Sequence, residues 1–164
     1  MMRRTWITRK PKPKKPRPDG APKRELPDMD FWDLVHILDR EFSFYVRAGQ
    51  AASQGHPFVK CSTCDRQDHW KSMDFGHFHQ REFFGVRWDL RNGGIQCPTC
   101  NRHKEGMKAE MATRLAESGV DLKALQTLKD MWGRTHPSKE DLLRWIREYR
   151  AENAKIRKAI KGQD

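Results

Sequence analysis

The chain has no long apolar run. No window approaches the roughly 18 consecutive apolar residues of a membrane span, so no membrane partner is expected. The N-terminus is basic but lacks the apolar stretch of a secretory signal, so a cytoplasmic protein is expected. Without export, paired cysteines favour metal thiolates over disulfides. Apolar residues are also scarce, at 36% against 34% charged. The core must therefore be small, and a small core needs a staple such as a bound metal. With 164 residues, one domain or a small domain with tails is expected.

Acidic residues are few at one end. The net charge is +11, and residues 1–27 carry ten Lys/Arg against only Asp19 and Glu25. That excess suggests an anionic partner. The run Lys10-Pro11-Lys12-Pro13-Lys14-Lys15-Pro16 cannot form a helix or bury apolar surface. Residues 1–27 are therefore expected to be a disordered arm, either phosphate-contacting or merely solubilising.

The remaining chain divides by pattern. Residues 28–57 read as a helix and a loop. Asp28 or Asp30 can cap a helix to about Arg47, with Phe31, Leu34, Val35, Leu38, Phe42 and Tyr45 on one stripe. Residues 48–57 are small and polar and read as a loop. Residues 58–106 form the central unit. Phe58-Val59-Lys60 and the stretch 71–75 are short enough to be strands of a small hairpin, and 80–96 reads as an ordered loop. Residues 107–164 read as three helices, over about 107–117, 121–132 and 139–161. The last opens at Ser138 with a capping-box-like start. Leu142, Ile146, Tyr149, Asn153, Ile156 and Ile160 form a short heptad seam. That seam suits either a second copy of the chain or the protein's own body.

The chemistry concentrates in residues 61–103. This stretch holds all four cysteines, as Cys61-Ser62-Thr63-Cys64 and Cys97-Pro98-Thr99-Cys100, and His69, His77, His79 and His103. Two CxxC turns can supply four thiolates to one tetrahedral Zn²⁺, a closed structural site with no open position for catalysis. The histidines between the knuckles then need another explanation. In Asp74-Phe75-Gly76-His77-Phe78-His79, strand alternation puts Asp74 and Gly76 on one face and His77 and His79 on the other.

The order Gly76-His77, then Asn92 five residues before Cys97, then Cys100-Asn101-Arg102-His103-Lys104, resembles the HNH endonuclease pattern. The zinc-framed form is similar to phage recombination endonuclease VII. It is closer still to the NinG (Rap) family of lambdoid phage recombination proteins. The likeness spans about residues 29–160, and only the central stretch is specific. It implies an α+β, mostly helical fold, with a zinc-stabilised ββα-metal unit between an N-terminal helix and C-terminal helices. It implies a structure-selective endonuclease acting on branched or Holliday-junction DNA in the bacterial host's cytoplasm, beside a phage recombinase. A two-fold junction suits a homodimer.

The resemblance also implies roles. His77 would be the general base, and Asn92 the pattern's middle Asn, which supports the site. Asp74 and Asn101 would hold a catalytic Mg²⁺ or Mn²⁺, with His103 and then His79 as further ligand candidates. The family's acidic ligand directly before the catalytic His is missing here, because that position is Gly76. His103 could instead buttress the zinc sulfurs, and His69 reads as a polar turn residue. Arg102 and Lys104 are expected to touch DNA phosphate. Arg81, Arg87 and Arg91, interleaved with Phe83, Phe84 and Trp88, read either as a DNA-contacting loop or as core aromatics with solvated arginines. The alternative function is a non-catalytic zinc-knuckle DNA-binding or recombination-mediator protein.

Overall fold

Asp30 starts the first helix. Its carboxylate accepts the Asp33 backbone N–H at 2.8 Å, a side-chain cap for one otherwise orphaned donor. In the computed structural model, which describes residues 25–161, helix α1 then runs Phe31–Gln54. It continues seven residues beyond the expected end at Arg47. The small residues 48–54 that read as a loop are good helix formers in part, and Ala48 and Ala51 are fully buried against the central unit. The helix stops at Gly55, whose φ of 71° is left-handed and natural to glycine. Most of the basic arm, residues 1–24, lies outside the described residues.

The strands pair differently from the expected hairpin. Strand β1 (Phe58–Lys60) pairs antiparallel with β2 (Gln67–His69), and the first CxxC forms the turn between them. Strand β3 (Asp74–His77) pairs with β4 (Gly93–Gln96), in the register Asp74 with Gln96 and Gly76 with Gly94. Between β3 and β4, the expected loop holds one helical turn, α2 (Phe84–Arg87), and a tighter turn at Leu90–Asn92. A π-helical turn, Thr99–His103, begins within the second CxxC.

Three helices complete the chain: α3 (Lys108–Glu117), α4 (Leu122–Trp132) and α5 (Lys139–Ala159). Ser138 caps α5 by accepting the Asp141 N–H at 3.0 Å, as its sequence promised. Helix α5 lies along α1. Leu142 and Ile146 are fully buried in a cluster with Leu34, Val35 and Leu38. Asn153, also fully buried, donates to the Glu41 carbonyl at 3.0 Å and to Glu41 Oε2 at 2.8 Å. The Leu142, Ile146 and Asn153 positions of the heptad seam thus pack on α1 of the same chain. The polar position that could have set register between copies sets it between α1 and α5.

The architecture is α+β and mostly helical, with two small two-stranded sheets. Helix α1 is its spine. One end packs on α5, and the other on β1, the knuckles, Trp70 and Met73. Phe42 joins the two, with ring centroids 4.9 Å from Phe75 of β3 and 5.6 Å from Tyr149 of α5. Arg47 fixes the approach to β3 by donating to the carbonyls of Trp70 at 3.0 Å and Met73 at 2.7 Å. No helix among the described residues is long and apolar enough to cross a membrane.

Candidate functional site

The four cysteines meet. Their sulfurs lie within 4.8 Å of one another. Zn–S bonds of about 2.3 Å in a regular tetrahedron give S···S edges of about 3.8 Å. The Cys64 and Cys97 sulfurs are 3.8 Å apart, which suits a tetrahedral ion and is far too long for a disulfide. Two local geometries bring them there. The β1–β2 turn closes through Cys61 N–H to the Arg66 carbonyl at 2.8 Å. Ser62 N–H then ties that turn to the Ile95 carbonyl of β4 at 2.7 Å. Burial would raise the Cys61 thiol, but Thr63 and nearby backbone donors outweigh it and lower it to about 6. Burial and the neighbouring thiols push Cys100 up to about 12. Four thiolates this close repel one another, so a soft divalent cation is what lets all four ionise together. The quartet could hold Zn²⁺.

His77 ends β3. Its Nε2 is 3.0 Å from the Arg87 carbonyl. A carbonyl only accepts, so the hydrogen sits on Nε2 and the neutral ring presents a free lone pair at Nδ1. Phe75 packs edge-on against the ring at 4.8 Å. Burial, and next the Arg81 charge, lower the His77 pKa to about 4, so the ring is neutral at physiological pH.

The Arg87 carbonyl is itself held. Arg87 is 7% exposed, and it pairs with Asp39 of α1 through Nε at 3.0 Å and Nη2 at 2.7 Å. It also donates to the Arg81 carbonyl at 2.7 Å, while the Trp88 indole donates to Asp39 at 2.9 Å. This corrects the expectation that Arg87 contacts DNA. Its guanidinium is buried in an ion pair and holds the loop that orients His77.

Asn92 is fully buried. Its side chain accepts the His79 N–H at 2.7 Å and donates to the carbonyls of His79 at 3.1 Å and Val86 at 2.9 Å. It therefore ties the exit of β3 to α2 and touches nothing reactive.

Asp74 and Asn101 also meet. The Asn101 amide donates to Asp74 at 3.1 Å, and Arg102 grips the same carboxylate at 2.8 and 2.7 Å. Burial would raise Asp74, but the Arg102 and Asn101 hydrogen bonds prevail and lower it. A Cβ at position 76 would stand 1.9 Å from Gln96 Oε1, so any side chain there would require the Gln96 amide to move. Gln96 is fully buried, and its Oε1 has no hydrogen-bond partner. An orphaned buried acceptor costs about 1–3 kcal/mol.

A small cleft of about 190 Å³ opens beside His77, lined also by Gln80, Arg81, Asn101, Glu105, Gly106 and Lys108. Lys108 donates to the carbonyls of His77 and, at 2.6 Å, Phe78. No pattern in the sequence singles out Lys108, Glu105 or Gln80, because they come together only when the start of α3 meets the exit of β3. His103 and Lys104 are exposed and outside the cleft lining. His79 also lies outside it, with a buried Nε2 that lacks a partner. His69 accepts the Lys71 N–H at 3.1 Å in the turn after β2. Arg91 is exposed and paired with Asp89 at 2.6 Å. A larger depression of about 730 Å³ lies elsewhere, against Tyr45, Trp88, Trp145 and Tyr149. It holds no cysteine or histidine.

No family model, curated protein or solved structure matches the chain.

Proposed function

We propose that this chain is a zinc-stabilised HNH (ββα-metal) endonuclease that hydrolyses phosphodiesters in branched or junction DNA. The reading is carried by His77. Its proton is parked on Nε2 by the Arg87 carbonyl, which leaves Nδ1 the basic atom, and His77 lines a cleft with Arg81, Asn101 and Lys108. In that role Nδ1 takes a proton from water as the water oxygen bonds to phosphorus. The bond to the 3′ oxygen breaks, leaving 5′-phosphate and 3′-hydroxyl ends as the family resemblance implies. A base with so low a pKa is weak in the free protein. Burial is the larger cause of that low value and the Arg81 charge the smaller, so an anionic phosphate arriving beside Arg81 would offset only part of the depression.

Asp74 would offer a carboxylate and Asn101, once its amide turns from donating to that carboxylate, an amide oxygen, a hard-oxygen pair suited to Mg²⁺ or Mn²⁺ with water and phosphate as further ligands. Such a cation would neutralise charge developing on the phosphate and the leaving oxygen. Exposed Arg81, Arg102 and Lys104 would contact the DNA backbone. The test is nicking of a labelled four-way junction in Mg²⁺ or Mn²⁺. His77→Ala is expected to lose at least about 100-fold in rate, the usual share of a general base, while still binding the junction. Equal cleavage by the wild type and His77→Ala would refute the assignment.

The rival reading, a non-catalytic zinc-knuckle DNA-binding or mediator protein, is favoured by one observation. Asp74 is already saturated by Arg102 and Asn101. Junction binding without any cleavage, across a range of divalent ions, would select it.

A further inference from the structure

The geometry points to Gln96 as the side chain that gives the cation an oxygen where Gly76 cannot. This rests on the Asp74–Asn101 ion site proposed above. Gln96 is fully buried and half satisfied. Its Nε2 donates to Thr63 Oγ1 at 3.1 Å and to the Gly106 carbonyl at 2.8 Å. The Gly106 carbonyl accepts only, so the amide cannot be turned round, and Oε1 must face the other way. There it has no partner.

The place it occupies is specific. A Cβ on Gly76 would fall 1.9 Å from Oε1, so the Gln96 oxygen stands at the root of the absent side chain. Asp74 and Gln96 are register partners on β3 and β4, so their side chains leave the hairpin on one face. Asn101 reaches the same face and donates to Asp74 at 3.1 Å. A carboxylate oxygen, two amide oxygens and no sulfur or ring nitrogen form a donor set for a hard divalent cation. The glycine and the glutamine are then one device. Position 76 lost its side chain, and the oxygen comes from across the hairpin.

Gln96 has two separable duties, and substitution can part them. Gln96→Glu keeps an oxygen at Oε1 but loses the N–H donor. Gln96→Met is similar in length and loses both. The experiment uses the full-length, zinc-loaded chain and follows free Mn²⁺ by electron paramagnetic resonance, with thermal midpoints measured alongside. The wild type is expected to bind one Mn²⁺. Gln96→Met should bind it at least 10-fold more weakly, in the range by which outer groups of metal sites matter. Gln96→Glu should bind as tightly as the wild type or more so, and both variants should melt lower. Affinity that follows the oxygen while stability follows the donor supports the inference.

Mn²⁺ affinity unchanged in Gln96→Met but lost in Asp74→Asn would overturn it while leaving the ion site standing. Affinity that falls in Gln96→Glu together with the melting point would overturn it too, by reducing Gln96 to a structural tie. If Gln96→Met does not fold, Gln96→Glu alone decides, since binding weaker than wild type refutes the oxygen's role. A wild type that binds no Mn²⁺ removes the ion site itself, and the inference with it.

Discussion

Replacing Asp39 by alanine strands the Arg87 guanidinium in a buried position. The two side chains are only 18% and 9% exposed, and three hydrogen bonds converge on the carboxylate from Arg87 and Trp88. Removing one partner of a buried pair costs about 3–5 kcal/mol, because the other charge is left uncompensated. For a chain of this size each kcal/mol lowers the melting point by about 2–4 °C. Asp39→Ala should therefore melt about 6–20 °C lower. Asp39→Ala combined with Arg87→Met removes both charges and should recover much of the loss. Calorimetry of the wild type, both single variants and the double variant closes a mutant cycle. Junction cleavage should fall with Asp39→Ala even where the protein remains folded, because the Arg87 carbonyl orients His77.

The pair also predicts a pH dependence. Burial raises the Asp39 carboxyl, Arg87 and Trp88 lower it more, and the net shift is downward. A lowered folded pKa means the contribution is complete above the ordinary carboxylate pKa of about 3.9. It fades as pH falls through the lowered folded value. A stability loss under about 1 kcal/mol for Asp39→Ala, or a loss that grows on acidification, would refute this account.

Three further outcomes are expected. Purified protein should carry one zinc per chain. Structural zinc contributes about 10–16 kcal/mol in small zinc-finger peptides, so chelation or Cys97→Ser should unfold residues 58–106, seen as lost near-UV dichroism. Asn92→Ala should cost about 2–3 kcal/mol by leaving buried backbone groups unpaired, and hydrogen exchange at the His79 amide should accelerate. Leu142→Ala should cost about 2–5 kcal/mol in denaturant unfolding while leaving the light-scattering mass unchanged, because Leu142 packs on α1 within the chain.

What could be read from the sequence was local. Two CxxC turns announce themselves, since each fixes its two sulfurs within four residues, and the structure needed only to bring them together. The cap at Ser138 is equally local, and so is the choice between Asp28 and Asp30, which the structure gives to Asp30. Partners distant in sequence were not legible. Nothing near Arg87 reveals Asp39, so a buried ion pair resembled a DNA contact. The periodicity of 142–160 fixes a face but not what covers it. Strand β4 begins Gly93-Gly94 and shows no alternation of apolar and polar residues, so its pairing with β3 was hidden in a stretch that read as loop. The absence of an acid at Gly76 was plain in the sequence. The Gln96 amide that fills the space beside it became visible only with the hairpin register.

The bridge from Arg102 to Asp74 has a consequence for the order of events on DNA. Arg102 is 63% exposed on its side-chain surface and bound to a carboxylate that is 20% exposed, so the contact is easily traded. On the proposed function, a cation that takes Asp74 sets the Arg102 guanidinium free, and an anion that takes Arg102 bares Asp74. Ion and polyanion then favour each other's binding by the same factor in both directions. The apoprotein keeps these two charges quenched against each other, a resting state broken most readily when ion and DNA are present together.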